Sequence, residues 1–168
     1  MLAIRHAEYE YCYGGEGNHM TNMGYDCNDC HMAPTFAADG TAYSDHYWES
    51  PLLNEDLIER DCSTCHKDIK AEVKTWQDEL DGRTHSVGLR CEAFIHNFED
   101  ALAAGGLSDE QVSRHQWIQR ASCYYWNFVA AENSEGAHNP TLTTDTLDKA
   151  DALLDEADGI LGVSSVIA

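Results

Sequence analysis

The sequence predicts an all-α chain in which a loop-rich first part gives way to long C-terminal helices, and three observations carry that reading. Apolar residues recur at helical spacing from residue 66 onward, glycine and proline interrupt the chain before it, and no run alternates as a strand would. Two C-x-x-C-H pentapeptides sit in or beside the irregular part: Cys27-Asn28-Asp29-Cys30-His31, and thirty-five residues later Cys62-Ser63-Thr64-Cys65-His66.

Residues 7 to 50 read as loop, punctuated by Gly14-Gly15-Glu16-Gly17, Gly24, Pro34 and Gly40. Ser50 offers an N-cap with Pro51 at the first helical position, opening a short helix through Leu57 and Ile58 towards the second pentapeptide. Ile69, Val73, Trp76 and Leu80 then fall at steps of four, three and four and form one apolar stripe, which Gly82 is placed to end or to kink. A second helix is expected from about Ser86 to Ala104, with Leu89, Phe94, Ile95, Phe98 and Leu102 inward and Gly105-Gly106 as its stop. Ser108-Asp109-Glu110-Gln111 is a capping box for a third helix that turns Val112, Ile118, Ala121, Tyr125 and Phe128 inward. After a loop from Asn133 to Pro140, Thr144 is the expected cap of a last helix with Leu147, Ala150, Leu154 and Ala157 on one face. The expected division is a ligand-wrapping region over 1–66 and a helical region over 67–168, together one incomplete domain.

C-x-x-C-H is the attachment signature of c-type haem. On a helical turn residues i and i+3 share a face, so both thiols reach the two vinyl groups of one porphyrin while the next imidazole swings under its iron. The chain is therefore expected to hold two covalent haems c, through Cys27, Cys30 and His31 and through Cys62, Cys65 and His66, and the fold class sharpens to a multihaem cytochrome c. A single zinc site built from the two C-x-x-C pairs is the rival. Their separation is about twice that of a zinc ribbon, and both histidines would go unused.

Composition agrees with haem. Leu, Ile, Val and Phe make up 30 of the 168 residues, about 18%, and the formal net charge is -20; without a cofactor those values point towards disorder. A porphyrin is a large apolar plate that replaces aliphatic core, and four Trp and eight Tyr suit its edges. The acidity argues against nucleic acid and anionic lipid as partners. Cys12, Cys91 and Cys123 lie outside the pentapeptides and, being odd in number, are expected as free buried thiols. Attachment of haem c takes place outside the bacterial cytoplasmic membrane. The opening Met1-Leu2-Ala3-Ile4-Arg5-His6 has no basic or apolar leader pattern, so the chain is expected to be part of a longer exported protein.

His31 and His66 are the proximal ligands, and a low-spin haem usually takes a second axial ligand from elsewhere. Loop histidines suit that role best, which singles out His19, His46 and His138. His85, His96 and His115 fall inside helical patterns and read as surface or interface residues.

The run His6-Ala7-Glu8-Tyr9-Glu10, His19, Cys27 to His31 with Met32-Ala33-Pro34, Tyr43-Ser44-Asp45-His46, Cys62 to His66, Trp126-Asn127 and Gly136-Ala137-His138-Asn139-Pro140 resembles the C-terminal portion of ammonia-forming cytochrome c nitrite reductase, the pentahaem cytochrome c-552 family. The resemblance implies that His138 is the distal ligand of the haem on Cys27 and Cys30, and His19 that of the haem on Cys62 and Cys65. It implies that His46 ligates a further haem attached outside this chain, and that His6 is the catalytic histidine over the substrate-binding haem. In the family that haem is attached through C-x-x-C-K, a motif this sequence lacks. The family also has a Lys-x-Gln-His run that helps to hold calcium. Here it is Ala3-Ile4-Arg5-His6, and arginine has no oxygen to offer, so calcium is doubtful and Arg5 is expected to supply the positive charge instead.

What the resemblance implies overall is periplasmic or otherwise extracytoplasmic reduction of nitrite to ammonium, by a homodimer that takes electrons from a quinol-linked membrane cytochrome. Two other readings remain open at the level of sequence: a self-contained dihaem electron carrier, and part of a related multihaem oxidoreductase acting on hydroxylamine or sulfur oxyanions.

Overall fold

The computed structural model describes residues 19–44 and 46–165, and of His19 and Thr21 the backbone alone. It is all-α apart from one small hairpin, and it divides into a unit that ends at Trp76 and a unit that begins at Gln77.

In the first unit, α1 (His19–Asn22) and α2 (Cys27–His31) are short helices. Asp26 opens α2 with a capping box: its carboxylate accepts from the Asn28 N–H at 2.8 Å, while Asp29 accepts from the Asp26 N–H at 2.7 Å. The chain then folds into an antiparallel hairpin, β1 (Pro34–Phe36) against β2 (Ala42–Ser44), pairing Thr35 with Tyr43. No strand is expected from the sequence pattern, because three-residue strands are too short to show alternation. The signal that survives at this length is the turn, Asp39-Gly40, with Gly40 at φ +84°.

Ser50 caps only a single 3₁₀ turn, Pro51–Leu53, rather than the helix expected to start there. Asn54 starts the true helix, α3 (Glu55–Arg60), by accepting from the Leu57 N–H at 3.0 Å. Among the described residues of this unit the buried hydrophobic side chains are Ala33 and Leu57.

In place of two helices meeting at Gly82, α4 (Ile69–Ala104) runs unbroken. An interior glycine costs only about 1 kcal/mol against alanine, and the packing along 36 residues outweighs it. Gly88 has a packing role: a Cβ there would lie 2.8 Å from Trp126 Nε1, which donates to the Thr84 carbonyl at 2.9 Å. Antiparallel α5 (Asp109–Ala130) begins at the expected Ser108–Gln111 capping box. The last helix, α6 (Pro140–Leu161), starts one turn before the expected Thr144 cap, because Asn139 accepts from the Leu142 N–H and Pro140 takes the first helical position.

The second unit has a conventional core. Leu80, Val87, Cys91, Phe94 and Phe98 of α4 recur at steps of seven, four, three and four, and meet Ile118 and Val129 of α5 and Leu147, Ala150, Leu154 and Ala157 of α6. The α6 stripe is as expected, whereas on α4 Val87 and Cys91 take places given to Leu89 and Leu102, the latter exposed. Of the α5 positions expected inward, Ile118 and Ala121 are buried and Val112, Tyr125 and Phe128 are half-buried. His115 is not a surface residue. It is fully buried, stacked on Phe98 at 5.0 Å and Phe94 at 6.0 Å, and its Nδ1–H donates to the Gln111 carbonyl at 2.7 Å.

A basic edge of α4 faces the acidic edge of α6. Arg83 binds Asp148 and Asp151, and Arg90 binds Asp151 and Asp155 at 2.7 Å each and lies 3.5 Å from Asp158. Arg114 of α5 grips Glu156 with two bonds of 2.6 Å. In a chain of net charge -20 these arginines stop the aspartates from repelling one another. Arg90 is buried, so removing it leaves the buried Asp158 carboxylate without its nearby cation. Arg90→Met is expected to lower stability by about 3 kcal/mol, read as a shift in the chemical-denaturation midpoint.

Candidate functional site

Both pentapeptides lie on helical turns. The first is α2 itself, and the second is a 3₁₀ turn, Cys62–Thr64, continued by bonds from the Cys65 and His66 N–H groups to the Cys62 carbonyl at 3.1 and 2.8 Å. The Cys30 thiol is pushed up first by burial and then by the charge of Cys62. Cys62 is pushed up likewise, by burial and by Asp61.

The ring of each motif histidine is held through its Nδ1. His31 Nδ1–H donates to the Glu49 carbonyl at 2.8 Å, and the Trp48 ring lies nearly parallel to the imidazole at 5.2 Å. The hairpin makes this possible, because it returns the chain to its starting point just before Trp48. Trp48 has φ +54°, a left-handed conformation that costs a bulky residue about 1–3 kcal/mol.

His66 Nδ1 is bonded to the Glu72 carboxylate at 2.7 Å, with Trp76 edge-on at 6.3 Å. Glu72 stands in the first turn of α4, where Asp68 caps the helix through the Ala71 N–H at 3.1 Å. The Glu72 carboxyl is held below the usual range, most of all by its bond to His66.

Two further candidates follow the same rule. His46 Nδ1–H donates to the Ser44 carbonyl at 2.9 Å, immediately after the hairpin. His138 Nδ1 is bonded to Glu132 at 2.8 Å, and Glu132 is the hub of its loop: its other oxygen accepts from the Ser134 N–H and hydroxyl and from the Gly136 N–H. Burial raises the Glu132 pKa, but the bonds from His138, Ser134 and Gly136 outweigh it and hold the carboxyl at about 2. Asn139 and Pro140 then open α6, which fixes the residue after His138 as well. His85 and His96 are exposed. His6, Arg5, Cys12 and the side chain of His19 lie outside the described residues.

These donors fit haem c. Each motif offers two thiols on one face of a turn and an imidazole whose Nδ1 is occupied, leaving the lone pair on Nε2, the nitrogen that binds iron. Beside Cys30 and His31 an open cleft runs along Thr35, Pro51 and Leu53. Around the motifs Phe36, Tyr43, Tyr47, Trp48 and Leu53 expose large apolar surfaces of the kind a porphyrin covers. Among the described residues no group of three or more His, Cys, Asp or Glu is placed to hold a bare metal ion.

The family model for cytochrome c552 matches residues 1–165. The chain belongs to the cytochrome c552 family. Membership implies covalently bound haem c. The chain is 30% identical over 157 residues to the cytochrome c nitrite reductase subunit NrfA of Nitratidesulfovibrio vulgaris, an alignment that covers 88% of this chain and 29% of that protein. It is 27% identical over 143 residues to cytochrome c-552 of Bacteroides thetaiotaomicron, covering 83% and 28%, and 28% identical over 144 residues to cytochrome c-552 of Haemophilus influenzae, covering 83% and 26%. The chain thus spans less than a third of the length of these curated relatives.

Sequence reasoning missed the residues that aim the imidazoles. Glu72 carried a faint signal, an acidic residue in a helix's first turn, but the Glu49 carbonyl and the Glu132 hub depend on loop closure and carried none. In Glu132→Gln an amide N–H₂ must either face the Ser134 and Gly136 donors or turn towards His138. The variant is expected to lose about 1–3 kcal/mol of stability and to speed amide hydrogen exchange at Ser134 and Gly136; unchanged exchange there would remove Glu132 from the role of hub.

Proposed function

We propose that the chain is the C-terminal part of a cytochrome c nitrite reductase that reduces nitrite to ammonium outside the cytoplasmic membrane, and that its two haems c carry electrons rather than bind substrate. The observation that supports this most is the shared posture of His31, His46, His66 and His138: each has Nδ1 tied to an oxygen and so turns a basic Nε2 outward. Four such histidines in a chain with two attachment motifs exceed the two proximal ligands needed, as bis-histidine ligation and an extra haem require.

In the proposed arrangement Cys27, Cys30 and His31 hold one haem with His138 as its distal ligand, and Cys62, Cys65 and His66 hold the other with His19. His46 reaches a haem attached elsewhere in the full protein. When bound, haem c supplies reversible one-electron storage at its iron. The chain's own residues set that iron's environment: Glu72 and Glu132 place negative charge behind His66 and His138, whereas a neutral carbonyl stands behind His31 and His46. His6 is the proposed proton donor to bound substrate at a lysine-ligated haem outside this chain, with Arg5 in place of calcium. The full protein is a proposed homodimer fed by a quinol-linked membrane cytochrome. No described helix is long and apolar enough to cross a membrane.

The 168-residue chain, produced with haem-maturation machinery, is expected to carry two haems by pyridine haemochrome and to show negligible nitrite-dependent oxidation of a reduced viologen. Turnover at the rate of full-length enzymes, or a haem count other than two, would overturn the proposal.

A further inference from the structure

Two of the chain's four tryptophans, Trp48 and Trp76, belong to the first unit, and each lies against a motif histidine. Trp76 meets the His66 ring edge-on. Trp48 lies face to face with the His31 ring, the planes 13° apart and the centroids 5.2 Å apart, within the range of offset stacking. Trp48 is also strained. Among the described residues the non-glycine residues at positive φ are Trp48 and Glu135, and each stands in a loop that carries a candidate ligand, His46 or His138. A chain returning from a hairpin has no need of an indole at a left-handed position, where glycine or asparagine fits at less cost. Strain that persists at a bulky residue points to a side chain with a task.

We propose that Trp48 is a positioning residue that fixes the ring plane of His31, and through it the plane of the imidazole on the iron of the haem at Cys27 and Cys30. The hydrogen bond from His31 Nδ1–H to the Glu49 carbonyl at 2.8 Å sets the direction in which Nδ1 points. It leaves the ring free to turn about the N–H···O line. A flat surface parallel to the ring stops that turn. Trp48 and Glu49 are neighbours in the chain, so one short segment supplies both restraints. His66 receives a different pair, a carboxylate at Nδ1 and an indole edge beside the ring.

The inference rests on the proposed role of His31 as an axial ligand. In a low-spin ferric haem the π orbital of an axial imidazole raises one iron d orbital over another, and the plane of the ring decides which. The largest g value in electron paramagnetic resonance follows that splitting. It therefore reports ring orientation, which a role confined to stability would not move.

The test compares the full-length haem-loaded protein with its Trp48→Asn and Trp48→Phe variants. Asparagine suits the left-handed backbone and removes the ring, whereas phenylalanine keeps a flat face. Trp48→Asn is expected to keep the haem count by pyridine haemochrome and to shift the largest g value of one low-spin signal while the others stay in place. Trp48→Phe is expected to return that value towards the unsubstituted protein's. Signals unchanged in Trp48→Asn, or moved alike in both variants, overturn the proposal. Loss of haem from both variants overturns it too, because Trp48 then serves attachment rather than orientation. Mass spectrometry separates the inference from the reading beneath it. A Cys27–His31 peptide without haem in the unsubstituted protein overturns both, whereas a haem-bearing peptide with unmoved signals in Trp48→Asn overturns the role of Trp48 alone.

Discussion

A hydrogen bond from imidazole Nδ1 to a fixed oxygen is the interaction on which the first unit's architecture turns. A histidine ring left to itself samples two tautomers and several rotamers, and it cannot present one nitrogen in one direction. Each motif histidine has a separate piece of structure that removes this freedom. For His31 it is the hairpin, which costs backbone strain at Trp48 and returns the Glu49 carbonyl to the ring. For His66 it is the start of α4, where Asp68 caps the helix and Glu72 holds the ring. Short elements that look incidental as secondary structure are thus the supports of the candidate ligands.

The two units solve the problem of a low aliphatic content in different ways. The second closes a core of its own along a seven-residue period of α4 and turns the chain's acidity to use by setting Arg83, Arg90 and Arg114 against the carboxylates of α6. The first has almost no aliphatic core among its described residues and keeps its aromatic residues near the surface around the C-x-x-C-H turns. Covalent attachment suits such a region, because a thioether-bound porphyrin contributes apolar area that cannot dissociate when the loops move.

Elements with strong local signals were legible in advance: the capping box at Ser108, the Gly105-Gly106 stop, the α6 stripe and the helical turns of both pentapeptides. Errors arose where two signals competed. Gly82 looks like a terminator, but a glycine costs little inside a helix whose neighbours pack well, and Thr144 looks like a cap although Asn139-Pro140 is the stronger start. The candidate site was legible in its cysteines and motif histidines, whose spacing is local. Its carboxylates were not, because Glu72 and Glu132 each lie six residues from the histidine they aim, and only a folded loop brings those pairs together. His115 was misplaced for the same reason: a polar residue in a helical pattern gives no sign that two phenylalanines will stack on it.

A redox titration of the haem-loaded protein carrying Glu72→Gln tests the central claim, that these aimed imidazoles are the iron ligands, most directly. The neutral amide can still accept from His66 Nδ1, so the ring stays in place while the negative charge behind it is lost. Ferric iron is then less favoured. The potential of one haem is predicted to rise by up to about 60 mV, the equivalent of a tenfold change for one electron, and the other haem is predicted to stay where it was. Potentials unchanged at both haems, with His66 still bonded to residue 72, would contradict the account.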